Sequence, residues 1–406
     1  MAAISSEPKT AGATQAAGSG KLLVALTPMP ADALEATLRR LSLAFIGNSV
    51  AVTTPDLTPE AAKSMADDFA NLYLFSDAAG AAPAGSWLLT AADFVNLYKA
   101  SQEHGAEACL LLGPEAQSLR VETIRALASA ISGGADLAVP RYATGPREGL
   151  VNSALLYPVS RAIFGGQARF PLALDLGLST RMVQRLAMVA QKFTALNQND
   201  ALIWPVSEAC SVGYRIAEVE AGARSLPQPN GGDLNAVLAQ VGASLFAVVE
   251  TNAAFWQRSR VAPNAPRPLP KTTIGPEGLP DVKPMIESFR VAYTNLQEIW
   301  SLVLPPNSLL ALKRLSMAQP ESFFMGDSLW ARIVYDFILA YRLRTINRGH
   351  LLGALTPLYL AWVASHILLA RSGVDPELHV EEVARAFETD KAYLVSRWRW
   401  PDRFNP

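Results

Sequence analysis

Four short apolar runs alternate with helical periodicity over the first third of the chain: Lys21–Thr27 (KLLVALT), Asn48–Thr53 (NSVAVT), Ala108–Leu112 (ACLLL) and Asp136–Tyr142 (DLAVPRY). Runs this short and this continuously apolar suit strands buried on both faces of a parallel sheet. Between them, Asp32–Leu43 sets Leu34, Leu38 and Leu41 on one helix face. Thr58–Leu74 reads as a helix opened by Thr58 as N-cap and Pro59 in its first turn, and Ala91–His104 and Val121–Ile131 read as two more. Parallel neighbours need long crossovers rather than hairpins, and the intervening helices supply them. The pattern predicts an α/β fold, a doubly wound and mostly parallel sheet, with ligands at the carboxyl ends of its strands.

Beyond Asn152 the alternation fades. Ser153–Phe164 and Arg181–Phe193 read as helices around the Pro171–Ser179 segment, Tyr214–Glu220 reads as strand-like, and Leu234–Trp256 as a long amphipathic helix. Arg260–Pro284 is rich in Pro and Gly and lacks apolar periodicity, which marks a linker. Every periodic segment after it is helical: Met285–Leu304, Ser308–Met317, Trp330–Asn347, His350–Ala370 and His379–Trp398. The expected organisation is therefore a disordered tail (1–20), an α/β domain (21–259), a linker (260–284) and an α-helical C-terminal domain (285–406).

Only 17% of residues are charged, against roughly 25% in an average domain, so the chain has much apolar surface to bury. A net charge of −1 supplies no global field for nucleic acid, and none is expected as a partner. Cys109 and Cys210 lack a second cysteine at metal or redox spacing and read as core residues, which suits the cytoplasm. The first 20 residues lack the apolar core of a signal peptide. His350–Ala370 is long enough to cross a bilayer, yet Thr356, Pro357, Ser365 and His366 interrupt it. A buried helix is the favoured reading, with peripheral membrane contact the other.

The segment Gly105–Ser179, with HGAEACLLLGPEAQSL, GGADLAVPRY, GPREGLVNSALLYPVSRAIFGG and RFPLALDLGLS, resembles bacterial nucleotide-sugar glycosyltransferases of the GT-A fold, of the glucosylglycerate synthase and glucosyl-3-phosphoglycerate synthase type. The resemblance extends over roughly Lys21–Trp256. In those enzymes the central strand ends in Asp-x-Asp, whose two carboxylates hold a divalent cation against the sugar-diphosphate. Here Gly113-Pro114-Glu115 stands at that position, leaving one carboxylate. Leu226 stands where the family has a His ligand, Leu202 where it has an acid before Ile-Trp, and Thr27-Pro28-Met29-Pro30 lacks the Asn and Glu of the base-binding loop. The lysine of a Gly-Lys-Gly stretch is missing from Pro83–Trp87. From these losses no metal site and no cofactor are expected.

What the resemblance leaves is a set of candidates. Asp175, Arg141 and Arg169 would be catalytic, with Asp175 orienting sugar hydroxyls or else capping the helix after Ser179. Pro28, Glu115 and Arg224 would meet the donor and its phosphates. Tyr142, Gly149 and Asn152 would hold the acceptor. Arginine suits phosphate or carboxylate because its planar fork pairs bidentately. Two functions follow: hexosyl transfer from a nucleotide-sugar to a small glycerate-like acceptor, or a catalytically silent scaffold that supports an active paralogue. A homo- or hetero-oligomer through the helical C-terminal region is the expected assembly. No HExxH pair, nucleophile elbow, Walker loop or GxGxxG fingerprint points to another chemistry.

Overall fold

The computed structural model describes residues 22–55, 65, 68–76, 86–145, 148–227, 233–259 and 279–400. The N-terminal tail, most of the expected linker and the last six residues lie outside the described residues, as does much of the helix expected from Thr58.

Seven strands form one sheet: β1 (Leu22–Leu26), β2 (Val50–Thr54), β3 (Leu72–Ser76), β4 (Ala108–Leu112), β5 (Leu137–Tyr142), β6 (Asp175–Ser179) and β7 (Ile216–Gly222). Their order across the sheet is β3-β2-β1-β4-β6-β5-β7. β1 pairs in parallel with β2 and β4, β2 with β3, and β5 with β7. β6 runs antiparallel to both of its neighbours, with Leu112 opposite Asp175 and Leu137 opposite Leu178. The sheet is thus mostly parallel, with one reversed strand inserted between β4 and β5. All five residues of β2 are buried and β1 is buried beyond Leu22, as continuous apolar runs require.

Helices α1 (Ala31–Ala44), α2 (Ala91–Glu103), α3 (Val121–Ser132), α4 (Tyr157–Phe164), α5 (Thr180–Thr194) and α6 (Pro205–Ser211) flank the sheet. α1 packs along α3, and α2 along α5. α2 is opened by a capping box in which Asp93 accepts from the Thr90 backbone and hydroxyl at 2.7 and 2.8 Å. The α3 backbone comes so close to β6 that a Cβ on Gly177 would lie 2.9 Å from the Leu127 carbonyl oxygen. No larger residue fits at that crossing.

The chain continues as α7 (Leu234–Thr251), α8 (Ala253–Trp256), α9 (Lys283–Asn295), α10 (Gln297–Val303), α11 (Pro306–Ser316), α12 (Asp327–Leu343), α13 (Arg348–Arg371) and α14 (Pro376–Arg399). These helices share one core with Ala154–Phe164, and Trp330 donates its indole N–H to the Ala154 carbonyl at 2.7 Å. α13 is long and apolar enough to cross a membrane, but most of it is buried inside this helical layer. That is the favoured sequence reading of 350–370.

Three local expectations need correcting. Leu72–Ser76 is strand β3, so Leu74 lies in a strand and not in the helix expected over Thr58–Leu74. The Pro171–Ser179 segment contains β6. The single helix expected over Met285–Leu304 is two, broken at Leu296, and the first begins at Lys283 inside the span read as linker.

Candidate functional site

The carboxyl end of β4 turns sharply through Gly113, Pro114 and Glu115. Glu115 is left-handed (φ 62°), and its carboxylate accepts from the Gln117 amide at 2.7 Å. A Cβ at Gly113 would lie 2.7 Å from the Leu174 carbonyl oxygen, because β6 enters the sheet directly alongside. The position that would carry the first acid of an Asp-x-Asp pair therefore has no room for a side chain unless the backbone moves.

Beside this turn sits a closed charge pair. Asp175, the first residue of β6, and Arg224, in the loop after β7, both have side-chain exposure of 0%. Arg224 Nε lies 2.7 Å from Asp175 Oδ2, and its terminal nitrogens donate to Asp175 Oδ1 at 3.0 Å, Pro114 O at 2.7 Å and Ser225 O at 2.9 Å. Asp175 also accepts from the Tyr142 hydroxyl at 2.7 Å and from the Gly113 amide at 3.3 Å. Burial and the neighbouring Asp175 push the Tyr142 phenol well above its ordinary value. Asp175 and Arg224 lie together as neighbouring roles would require, but each is committed to the other. The helix after Ser179 is capped by Ser179 itself, whose hydroxyl accepts from the Met182 amide, so Asp175 is not its cap.

The other arginine candidates are likewise paired. Arg141 meets Glu220 and Glu218 on the adjacent strand β7. Arg169 is buried and forks onto Glu377 at 3.0 and 2.9 Å while also donating to Ser153 at 2.9 Å. Its neighbour Arg161 pairs with Glu381 and Glu388. Glu377, Glu381 and Glu388 were not among the expected functional residues. Their spacing of four and seven, which sets them on one helix face, was the available signal. Pro28 lies apart, lining a small crevice with Thr53, Asp93 and Leu111.

The three acceptor candidates do come together. Tyr142, Gly149 (φ +63°) and Asn152 line a cavity of about 380 Å³ between the sheet's carboxyl edge and the helical layer. Leu174, Leu226, Val237 and Tyr359 close its other sides. Asn152 is held by donating its amide to the Arg169 carbonyl at 2.9 Å. Leu226, at the family's His position, is thus part of an apolar wall. Neither Leu226 nor Tyr359 stood among the expected site residues.

No family model and no curated protein matches the chain. Solved structures do match. The chain is similar in fold to glucosyl-3-phosphoglycerate synthase. One such structure, from Mycobacterium tuberculosis in complex with Mn2+, UDP and glucosyl-3-phosphoglycerate, is 15% identical over 58% of this chain and 81% of that one, with a TM-score of 0.36. Another, with Mn2+, UDP-glucose and phosphoglyceric acid, gives 15%, 58%, 81% and 0.37. A third, with Mg2+ and UDP, gives 16%, 58%, 80% and 0.37. At these values the likeness is one of fold, and the chemistry must be read from this chain's own residues.

These structures overturn the expectation of no metal cofactor, since the enzyme they contain holds Mn2+ or Mg2+ together with UDP. The side chains present here fit such an ion poorly in their described arrangement. Among the described residues no three His, Cys, Asp or Glu side chains cluster around a common point. Asp175, the buried acid at the strand end, already accepts from Arg224, Tyr142 and Gly113.

Proposed function

We propose that the chain is a glycosyltransferase-type protein that moves a hexosyl group from a nucleotide-sugar to a small acceptor held in the cavity behind Tyr142. The observation that carries this reading is the convergence of Tyr142, Gly149 and Asn152 on one cavity at the carboxyl edge of a mostly parallel sheet. Open α/β sheets bind ligands at that edge. In the reaction an acceptor hydroxyl attacks the anomeric carbon, the bond from that carbon to the diphosphate breaks, and negative charge gathers on the departing diphosphate, which takes up the hydroxyl proton. Arg224 is the buried cation at the strand end, and Asp175 and the Pro114 carbonyl fix its position. Preorganised donors of this kind stabilise developing charge. To use Arg224, the donor must displace part of its pairing with Asp175. Arg141 and Arg169 act in this reading as positioning residues, the first by pairing with Glu220 of β7 and the second with Glu377 of α14.

A second reading is a silent scaffold that binds an active relative through its helical layer. The full closure of the Asp175–Arg224 pair favours it, because a side chain with no exposure offers nothing to a donor in the described state. Calorimetry with UDP- and GDP-sugars in the presence of Mn2+ separates the two. Saturable donor binding that weakens at least tenfold in Arg224→Ala supports the transferase. Absence of binding for every donor, with a partner retained on purification, supports the scaffold.

A further inference from the structure

We infer that the acceptor cavity takes a neutral, largely apolar molecule bearing a hydroxyl, rather than a carboxylate or phosphate. Its role as an acceptor rests on the proposed function, while its binding does not. The first support is the wall chemistry. Leu174, Leu226, Val237, Val241 and Phe170 present hydrocarbon, and no charged side chain lines the cavity among the described residues. A phosphate or carboxylate entering here would lose its water without gaining a cation, which is strongly unfavourable. The nearby arginines do not line the cavity, and both are ion-paired: Arg169 is forked onto Glu377, with its Nη1 enclosed and unpaired, and Arg224 onto Asp175.

The second support is a polar group left waiting. Tyr359, on α13, lines the cavity and is only 5% exposed, yet its hydroxyl has no hydrogen-bond partner among the described residues. The hydroxyl is not among the fully enclosed unpaired atoms, so it stays open to the cavity and to whatever fills it. A phenol in a hydrocarbon wall, with one position free for donation or acceptance, matches a neutral hydroxyl on a ligand. Of the other polar groups on the wall, Tyr142 donates to Asp175 and the Asn152 amide nitrogen donates to Arg169 O. A volume of about 380 Å³ falls in the range of small-molecule sites. Apolar walls with a few placed polar groups are the usual make-up of such sites.

The test uses the full chain and the neutral fluorophore N-phenyl-1-naphthylamine, displaced in turn by 4-tert-butylphenol and by 3-phosphoglycerate. The phenol should displace the fluorophore and 3-phosphoglycerate should not. Val237→Trp, which fills the cavity, should weaken fluorophore binding at least tenfold. Tyr359→Phe should weaken the phenol about tenfold, the loss of one hydrogen bond, and leave the fluorophore unchanged. Circular dichroism and the thermal midpoint establish that both variants fold, and Leu172→Trp serves in place of Val237→Trp if that variant does not. Displacement by 3-phosphoglycerate at equal or lower concentration, or fluorophore binding untouched by the filled cavity, overturns the inference. Because binding is read without a nucleotide-sugar, absent transfer with intact phenol binding counts against the proposed function alone. Transfer to 3-phosphoglycerate with no phenol binding counts against this inference alone.

Discussion

Removing Arg224 should be among the most damaging single changes in the α/β half of the molecule. Arg224→Met keeps much of the side-chain volume but strands Asp175, a carboxylate with no exposure, on the Tyr142 hydroxyl and the Gly113 amide alone. Breaking a buried pair from one side costs about 3–5 kcal/mol, a large share of the roughly 5–15 kcal/mol that holds a typical domain. Asp175→Leu should cost as much, because it unpairs Arg224, Tyr142 and Gly113 together. The double variant removes both charges. What remains is a Tyr142 hydroxyl and a Gly113 amide without an acceptor, a penalty of about 1–3 kcal/mol each, so it should be no worse than either single change. The expected coupling between the two positions is at least about 2 kcal/mol, within the range seen for interacting neighbours. Urea unfolding followed by both tryptophan fluorescence and far-ultraviolet circular dichroism measures it, and coincident curves establish a single transition. Additive losses, with a coupling below about 0.5 kcal/mol, would refute the view that this pair acts as a closed unit.

Gly113→Ala should destabilise the protein by about 1–3 kcal/mol, the usual cost of overpacking, since its Cβ meets the Leu174 carbonyl; an unchanged urea midpoint would show that β4 and β6 have more room than described. Burial first, and then the neighbouring His379 and Arg169, hold His366 neutral and push it down to about 3. Its unfolded value is about 6.5, so the unfolded chain takes up the proton first and stability is lost as pH falls from 6.5 toward 3; His366→Phe should flatten that loss in urea titrations at pH 4 to 7, and an unaltered slope would count against it. Burial pushes Asp336 up to about 7 against the pull of Arg397, so between pH 4 and 7 the folded state binds the proton that the unfolded state has released. Stability from this group therefore falls as pH rises through that window, and Asp336→Asn should remove the fall.

How much of this was legible in the sequence differs from one element to the next. The runs that became β1, β2, β4 and β5 were readable because a strand buried on both faces needs continuous apolar residues, a requirement each segment meets on its own. The helix Arg348–Arg371 was readable for the same reason: its interrupting Thr356, Ser365 and His366 suit a protein core better than lipid. β3 was missed because Leu72–Ser76 (LYLFS) continues the apolar spacing of the segment before it. β6 was missed because its five residues include an acid and a glycine and carry little strand propensity. It is a strand because Asp175 finds Arg224, 49 residues away, and because Gly177 admits the α3 backbone. Tyr142, Gly149 and Asn152 line one cavity, and they lie close in sequence. The partners that commit Arg161 and Arg169 lie 208 to 227 residues onward in α14, and Tyr359 reaches the cavity from α13. The sequence by itself determined β1, β2, β4 and β5, most of the helices and the one-carboxylate turn at Glu115, because these follow from local patterns of burial and backbone preference. Only the tertiary structure decided which arginines were spoken for and that the cavity is walled with hydrocarbon, because charge pairing and cavity lining arise where distant segments meet.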